Sequence, residues 1–265
     1  MPNLFRALIT PGPIASPQDL SRGNWDLSKT RAIVGYPLGT LYGTGSKTNA
    51  DGSFDLNSNG FPQITSSPIV LGDPNPDWRG GISLNMRYKK FRLNAVLEHS
   101  QGGEFSPRTL WVLRRFGTTQ ETANRLTLDQ SLVNYKGSTI PAGTTVRGNV
   151  KDFGAGPVLL DENWYRTGIG GGFGDNQAYN FSIADATWTK LRDLSLSYVI
   201  DTPVVKNIGL SDVILTFTGR DLININNVDG IDPEINTKGV SVAQGVEYFT
   251  NPQTKGFLFS LTINY

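Results

Sequence analysis

Apolar and polar side chains alternate at every second position in several stretches of this chain. That period is typical of β-strands with one apolar face, because successive side chains on a strand point to opposite sides of the sheet. Within residues 256–265 only Leu258 breaks the alternation. The apolar positions of this predicted strand are Phe257, Phe259, Leu261, Ile263 and Tyr265. We therefore predict a strand that is apolar on one side up to Tyr265.

Two further strands are predicted upstream, within residues 188–200 and 212–225. Serines oppose the apolar side chains of the first strand, and threonines oppose those of the second. The apolar sets are Leu194, Leu196, Tyr198 and Ile200 in the first strand, and Val213, Leu215 and Phe217 in the second. Trp188 has the same parity as Leu194, so we expect these two side chains to share a face.

Residues 80–100 contain two alternating stretches joined by Lys89 and Lys90. If these two lysines form a two-residue loop, Tyr88 and Phe91 are directly opposed and both apolar sets lie on the same face. The apolar sets are Ile82, Leu84, Met86 and Tyr88, followed by Phe91, Leu93, Ala95 and Leu97. The polar set on the other face includes Ser83, Asn85, Arg87, Arg92 and Asn94. Lys-Lys is not a favoured turn pair, but the alternation still predicts a hairpin.

The connections between predicted strands are very unequal in length. The Lys89–Lys90 loop and residues 201–211 are short, whereas residues 101–185 and 226–255 are long and rich in Gly, Asn and Thr. Alternating short and long connections are typical of membrane β-barrels, and strands of about ten residues suit a tilted membrane strand. A soluble β-sandwich shows the same alternation and stays the alternative. The loop asymmetry favours the barrel.

About six strands are predicted when a weaker alternation at residues 32–44, which contains Pro37, is included. Membrane barrels have at least eight strands, and an open sheet in lipid would leave costly unpaired backbone groups at both edges. Residues 1–20 do not follow the pattern of a signal peptide. We therefore expect a C-terminal part of a larger barrel, with residues 1–30 of uncertain structure and residues 31–265 as the barrel segment.

Composition and charge narrow the function classes. The 265 residues include 24 basic and 23 acidic side chains, and a formal net charge of +1 gives no electrostatic footprint for a nucleic acid. The sequence has no cysteine, which excludes disulfides, thiolate zinc sites and cysteine nucleophiles within it. No apolar run approaches the roughly 18 residues of a transmembrane helix. Abundant Gly (30) and Pro (15) favour β-structure with loops over a helical enzyme.

Seven short motifs follow one another along residues 34–265. They are Gly72-Asp-Pro-Asn-Pro-Asp-Trp78, the hairpin around Tyr88-Lys-Lys-Phe91, Gln101-Gly-Gly103, Ala186-Thr-Trp-Thr-Lys-Leu-Arg-Asp-Leu-Ser-Leu-Ser-Tyr198, Thr218-Gly-Arg-Asp-Leu222, Gly230-Ile-Asp-Pro-Glu234 and the terminal Phe-x-Leu-x-Ile-x-Tyr265. Each motif alone is weak evidence for a protein family, but the set in this order is specific. In this order they resemble the C-terminal barrel region of SusC/RagA-type TonB-linked outer-membrane transporters.

The resemblance implies an all-β fold, the C-terminal part of a 22-stranded transmembrane antiparallel barrel with long extracellular loops, in the cell outer membrane. Transporters of this family have an N-terminal plug, draw energy from TonB and import glycans or peptides beneath a SusD-type lipoprotein. We expect this sequence, which shows no plug or TonB-contacting segment, to supply barrel wall and loops. Its expected partners are a SusD-like lipoprotein, TonB and outer-membrane lipid. Enzymatic activity and a cofactor are not expected.

The barrel hypothesis assigns the apolar strand faces to lipid. The residues expected to face lipid are Leu84, Met86, Tyr88, Phe91, Leu93, Leu194, Leu196 and Tyr198. The resemblance also implies a C-terminal signal for the barrel-assembly machinery, formed by Phe257, Phe259, Leu261, Ile263 and Tyr265. The alternative, a soluble β-rich module that binds for example carbohydrate, would bury the face carrying Leu194, Leu196 and Tyr198 in its own core.

Several polar groups have simple structural explanations. Asp229, Asp232 and Glu234 provide the oxygen ligands that calcium prefers, but Asp-Pro also initiates turns, so a calcium site there is left open. His99 has no accompanying nucleophile motif and is predicted to lie at a polar strand end. Adjacent Asp161 and Glu162 would point apart on a strand, which disfavours paired-carboxylate catalysis. No catalytic or metal-binding residue is assigned.

The long connection at residues 101–185 carries the remaining candidates. Its aromatic side chains with potential ligand contact are Trp111, Trp164 and Tyr165, since aromatic faces stack on sugar rings, although such rings also simply pack a loop. Arg114, Arg115 and residues 117–125 are expected to form a short helical element. The glycine-rich stretch 168–174 lacks the lysine and the flanking elements of a phosphate loop, so we predict an external loop there.

Overall fold

The computed structural model describes residues 29–31, 33, 35–166, 178–235, 244–251 and 253–265. The chain divides into two compact units. The sheet unit comprises Pro76–Glu104, Asp185–Ile235 and Thr250–Tyr265, and the loop unit comprises Met1–Asn75, Phe105–Ala184 and Asn236–Phe249.

The elements of the described residues are as follows in chain order. The strands are β1 (Lys29–Arg31), β2 (Thr40–Gly43), β3 (Ile69–Gly72), β4 (Trp78–Tyr88), β5 (Phe91–Gln101), β6 (Glu104–Pro107), β7 (Arg125–Thr127), β8 (Leu132–Val133), β9 (Thr139–Ile140), β10 (Thr145–Arg147), β11 (Asn149–Asp152), β12 (Pro157–Leu160), β13 (Ala184–Asp185), β14 (Trp188–Ile200), β15 (Asp212–Asn226), β16 (Val246–Glu247) and β17 (Gly256–Asn264). The helices are α1 (Arg108–Phe116), α2 (Gln120–Ala123), α3 (Glu162–Arg166) and α4 (Pro203–Asn207), with a 3₁₀ turn at Tyr179–Ser182.

The sheet unit is a five-stranded antiparallel sheet in the order β17-β15-β14-β5-β4. Its short connections, at residues 89–90 and 201–211, join strands at one end of the sheet. The long connections, at residues 102–187 and 227–255, leave from the other end. The predicted alternation of short and long connections is therefore confirmed, and so is the predominance of antiparallel β-structure.

The predicted two-residue hairpin is also confirmed. Tyr88 pairs directly with Phe91, and the register continues without interruption to Trp78 opposite Gln101. Lys89 completes the turn with a φ of 53°, a left-handed conformation that is uncommon for a residue other than glycine. The alternation of the two strands thus specified the register even though the turn residues are unfavourable.

A β-bulge changes the pairing near the middle of the sheet. Two neighbouring cross-strand rows define it: Ala95, Leu194 and Gly219 in one row, and Leu97, Leu191 and Ile223 in the next. Between these rows β5 has one residue, β14 has two and β15 has three. The extra residue on β14 reverses the parity of the side chains before it. The expectation for Trp188 is therefore wrong, because Trp188 pairs with Ser100, on the opposite face from Leu194, and is buried.

The loop unit has its own hydrophobic cores, so most of the long connection at 102–187 is structured rather than irregular. The larger cluster contains Phe61, Phe153, Val158, Leu160, Trp164, Tyr165 and Ala178, and a smaller cluster contains Leu128, Leu132 and Leu159. The predicted helical element is present as α1 and α2. Helix α1 ends at Gly117, whose φ of 70° terminates the helix, and Thr119 caps α2.

The weak strand predicted at residues 32–44 is shorter in the structure. Among the described residues of this range, the strand comprises Thr40–Gly43, which pairs with Lys29–Arg31 and Ile69–Gly72. Pro37 lies outside the strand, in the irregular segment before it, as expected for a residue that cannot donate to a ladder. Among the described helices, none combines the length and the apolar character that crossing a membrane requires.

Candidate functional site

One side of the five-stranded sheet, here called the apolar face, presents a continuous exposed hydrophobic surface. Its cross-strand rows are Tyr88, Phe91, Tyr198, Leu215 and Leu261; Met86, Leu93, Leu196, Phe217 and Phe259; and Leu84, Ala95, Leu194, Gly219 and Phe257. Most of these large side chains are solvent-exposed, with Tyr88 at 69% and Phe259 at 82%. All eight residues expected to face lipid therefore share this face, although lipid contact itself stays a prediction.

Strand β17 contributes two strongly exposed aromatic side chains to the apolar face, Phe257 and Phe259. Phe257 and Phe259 lie 6.0 and 5.0 Å, between ring centroids, from Phe217 on the neighbouring strand. The alternation predicted for this strand is confirmed by its register with β15. The assembly signal assigned to Phe257, Phe259, Leu261, Ile263 and Tyr265 stays a prediction.

Aromatic side chains lie at both ends of the apolar face. Trp78, at the end with the long connections, packs against His99 with 4.8 Å between ring centroids. At the other end Phe91 packs against Tyr198, also at 4.8 Å. Trp78 and Tyr88 are ten positions apart, about 34 Å along a strand and about 24 Å in height at a tilt near 45°. That height matches the apolar band of about 25 Å between the aromatic girdles of membrane barrels.

His99 has the role predicted for it at a polar strand end. Its Nδ1 lies 2.8 Å from the hydroxyl of Thr189, and its Nε2 lies 3.2 Å from the amide oxygen of Gln101. The imidazole therefore links β5 to Thr189 on β14 and also contacts Gln101 on its own strand. These partners suit an orienting role at the sheet end rather than nucleophile activation.

The opposite side of the sheet, here called the polar face, is held together by hydroxyl pairs. The hydroxyls of Ser195 and Thr218 lie 2.9 Å apart, and those of Ser197 and Thr216 lie 2.8 Å apart. The predicted polar residues of the hairpin also belong to this face by register: Ser83, Asn85, Arg87, Arg92 and Asn94. Such cross-strand polar pairs stabilise a sheet that need not be covered by a hydrophobic layer.

An ionic cluster lies on the polar face where the long connections leave the sheet. The Lys190 Nζ donates to both carboxylate oxygens of Asp232 at 2.8 and 2.7 Å, to Glu234 at 2.6 Å and to Gln253 at 3.1 Å. The Lys190 side chain is only 1% exposed. Because an unpaired buried ammonium is very costly, these four acceptors explain how it is tolerated.

Arg192 extends the ionic cluster from the bulge on β14. Its guanidinium pairs with Glu98 at 2.8 Å and with Glu234, and it lies 5.1 Å from the ring centre of Trp188. Lys190 lies 5.0 Å from the same ring. The bulge places Arg192 outside the regular alternation, so that two successive cations of the strand can reach one indole and one loop.

Glu234 is held as a carboxylate by this arrangement. Burial alone raises the pKa of a carboxyl group, but the hydrogen bonds from Arg192 and Lys190 and their charges outweigh it, so the pKa of Glu234 lies below its usual value. A calcium site at Asp229, Asp232 and Glu234 was left open from the sequence. In the structure Asp232 and Glu234 are instead paired with cations, and Asp229 is exposed.

The three loop aromatics predicted to contact a ligand are buried, so the faces that the prediction requires are not offered to solvent. Trp111, Trp164 and Tyr165 are 5%, 3% and 4% exposed. Trp111 stacks on Tyr179 and donates from Nε1 to the carbonyl of Ser182 at 3.0 Å. Trp164 is surrounded by the rings of Phe61, Tyr135, Phe153 and Phe181. These residues pack the loop unit.

Tyr165 also joins a polar contact inside the loop unit. Its hydroxyl donates to Glu121 at 3.1 Å and accepts from the amide of Asn149 at 2.9 Å. Burial, followed by the charge of Glu121, raises the pKa of Tyr165 far above its usual range. The hydroxyl therefore stays protonated and acts as a fixed donor.

The remaining sequence candidates have structural roles or fall outside the described residues. Asp161 accepts from the backbone N–H of Asn163 at 2.9 Å, at the start of α3, and Glu162 pairs with Arg166 at 2.5 Å. The adjacent carboxylates therefore serve the helix rather than each other. The glycine-rich stretch at residues 168–174 lies outside the described residues.

No protein-family model matches the chain. The TonB-dependent receptor P3 of Formosa agariphila is 24% identical over 236 residues, which cover 87% of this chain and 20% of the receptor. The chain thus spans about a fifth of the length of that relative.

Solved structures show the same kind of fold. A chain of the RagAB peptide importer in the closed-closed state matches with a TM-score of 0.50 and 14% identity, over 88% of this chain and 24% of that chain. A chain of the RagAB peptide transporter matches with a TM-score of 0.50 and 16% identity, over 88% of this chain and 23% of that chain. With a TonB-dependent receptor as sequence relative and RagAB chains as fold relatives, the predicted resemblance to SusC/RagA-type TonB-linked transporters is confirmed.

Proposed function

We propose that this chain forms part of the wall and outer loops of an outer-membrane β-barrel that imports nutrients. The observation that carries the proposal is the pair of contrasting sheet faces: three complete apolar rows, exposed across five strands, lie opposite hydroxyl pairs and an ionic cluster. In a membrane barrel the outer surface contacts lipid and the interior is polar. A soluble sandwich would cover the apolar face, but Leu196 and Tyr198 are 47% and 38% exposed.

The strand edges support the same proposal. In the part of the chain that the structure describes, β4 and β17 form the two edges of the five-stranded sheet. Backbone groups at an open edge cannot stay unpaired in a bilayer. We infer that further strands of the same barrel pair with both edges, as in a 22-stranded barrel of the SusC/RagA type.

The direction of the sheet and the partners follow from the barrel assignment. Short turns of outer-membrane barrels face the periplasm and long loops face outward. We therefore place the Lys89–Lys90 turn on the periplasmic side, and the strand ends from which the long connections leave on the outer side. A SusD-like lipoprotein over the outer side, energy from TonB and an oligosaccharide or peptide substrate complete the proposal.

Single-cysteine labelling tests the lipid-facing wall, because no cysteine within these 265 residues competes for the label. Leu84→Cys and Asn85→Cys are prepared in the intact protein in outer membranes and carry a spin label at neighbouring positions of β4. We expect the label at position 84 to be accessible to oxygen dissolved in lipid, and the label at 85 to a water-soluble nickel complex. Accessibility of both labels to the nickel complex alone would contradict a lipid-facing wall.

A further inference from the structure

The loop unit contains a cavity of about 450 Å³ with a basic lining. Its charged lining residues are Arg114, Arg115, Arg147, Arg166, Asp161 and Glu162. The volume falls within the range of small-molecule pockets, roughly 300–1,000 Å³. Arginines outnumber carboxylates in this lining by two to one, so the cavity favours an anionic occupant.

The two carboxylates of the lining are engaged by other groups. Asp161 receives hydrogen bonds from Asn134 at 2.9 Å and from Asn163 at 2.9 and 3.0 Å. Glu162 pairs with Arg166 at 2.5 Å. Arg114 likewise pairs with a carboxylate, Glu121 at 2.8 Å, whereas Arg147 donates to backbone carbonyls.

Arg147 is held in place by neutral groups. Its Nε donates to the carbonyl of Thr122 at 2.6 Å, and its Nη2 donates to the carbonyl of Gly117 at 2.5 Å. Gly117, which ends α1 in a left-handed conformation, also lines the cavity. Two carbonyl oxygens orient the guanidinium without neutralising it, so Arg147 keeps its full charge in a fixed geometry. A pre-oriented guanidinium suits the planar geometry of a carboxylate.

An aromatic ring lies beside these arginines. Phe116 lines the cavity and is 72% exposed, in contrast to the buried aromatics of the same unit. Arg114, two residues before it, also lines the cavity and uses its Nε for Glu121 at 2.8 Å. The cavity therefore combines a free apolar ring face with guanidinium groups on its rim.

We propose that this cavity binds an acidic sugar unit of the imported substrate, with Arg147 and Arg114 contacting the sugar carboxylate and Phe116 covering the apolar face of the ring. The inference rests on the proposed import function and names its substrate class, an anionic oligosaccharide. An acidic peptide also carries carboxylates, but its acidic side chains have no ring whose apolar C–H face a single exposed aromatic side chain covers. The observations therefore favour the sugar.

The test measures binding by the intact protein, purified from outer membranes in detergent. Isothermal titration calorimetry compares trigalacturonate with cellotriose, a neutral trisaccharide. We expect trigalacturonate to bind at least about tenfold more tightly, because a hydrogen bond to a charged group contributes enough for that factor. Added salt should weaken its binding. Arg147→Gln and Phe116→Ala should each raise the Kd about tenfold, whereas Lys136→Gln, an equal loss of charge outside the lining, should leave it unchanged.

Two readouts distinguish the loss of ligand contacts from a disturbed structure of the loop unit. Arg147→Gln removes bonds to the carbonyls of Thr122 and Gly117, but Phe116→Ala keeps both, and near-ultraviolet circular dichroism reports the packing of the buried tryptophans in each variant. Equal affinity for the two sugars, or unchanged affinity in both variants, overturns the proposal. Binding of triglutamate in place of trigalacturonate assigns the cavity to acidic peptides and also overturns it. Failure of the protein to insert as a heat-modifiable barrel contradicts the proposed function instead.

Discussion

Lys190 and Asp232 form a buried ion pair that ties the connection between β15 and β17 to the polar face of the sheet. The Lys190 Nζ lies 2.8 and 2.7 Å from the two carboxylate oxygens, and the side chains are 1% and 5% exposed. Two further residues of that connection, Glu234 and Gln253, accept hydrogen bonds from the same ammonium group. One strand residue thus fixes three positions of a long loop.

Loss of this pair is expected to destabilise the protein. Asp232→Ala leaves the buried Lys190 ammonium with one carboxylate fewer, and breaking a buried pair in this way costs roughly 3–5 kcal/mol of unfolding free energy. Asp229→Ala, which removes an exposed carboxylate of the same loop, should change it by less than about 0.5 kcal/mol. Urea titration in detergent micelles measures both. Equal effects of the two substitutions would contradict the role of the pair.

Much of the sheet could be predicted because the alternation of apolar and polar residues indicates both where a strand lies and which face each of its side chains occupies. The Tyr88–Phe91 register follows from two apolar sets that align only if the loop has two residues. The bulge on β14 was missed, although a signal was present. Leu191 and Leu194 are both apolar and three positions apart, which a regular strand places on opposite faces. The change of phase between them marks the extra residue.

The core of the loop unit should depend strongly on Trp164. Trp164→Ala removes the ring that packs against Phe61 and Phe153 in the larger cluster, and truncation of a buried aromatic costs about 3–5 kcal/mol. Leu38→Ala, in the same unit but 61% exposed, serves as the control and should have little effect. Limited proteolysis of the intact protein follows loop-unit unfolding. Equal protection of both variants would show that Trp164 does not stabilise the core.

The candidate sites were less predictable than the sheet because they depend on burial and on distant residues. Nothing in the local sequence distinguishes a buried ring such as Trp164 from an exposed one such as Phe116. The ionic cluster joins Lys190 to partners 42 to 63 positions away. Its visible signal was the pair of cations, Lys190 and Arg192, in an otherwise alternating strand.

The ionic cluster should weaken in acid. The pKa of Glu234 lies below its ordinary value of 4.5, so its contribution to stability is fully present above that value and is lost as the pH falls through the lower folded value. The difference in unfolding free energy between the wild-type protein and Glu234→Gln should therefore stay constant from about pH 7 to pH 5 and shrink below about pH 4.5. Urea titrations at each pH measure it. A difference that grows in acid would reverse the assigned direction.

Neighbouring positions of β4 should respond oppositely to an introduced charge. Leu84 lies near the middle of the strand on the apolar face, whereas Asn85 lies on the polar face. Arginine at the bilayer midplane on the lipid side of a barrel costs roughly 2–4 kcal/mol, whereas substitutions on the interior side are milder. Leu84→Arg should therefore lower the free energy of unfolding and the amount of heat-modifiable barrel in outer membranes, and Asn85→Arg should leave both nearly unchanged.

Since the two variants introduce the same side chain at adjacent positions, differences in synthesis or export do not explain a contrast between them. Equal tolerance at both positions would contradict the lipid-facing assignment of the whole apolar face, because the cross-strand register places Leu84 in one row with Leu194 and Phe257.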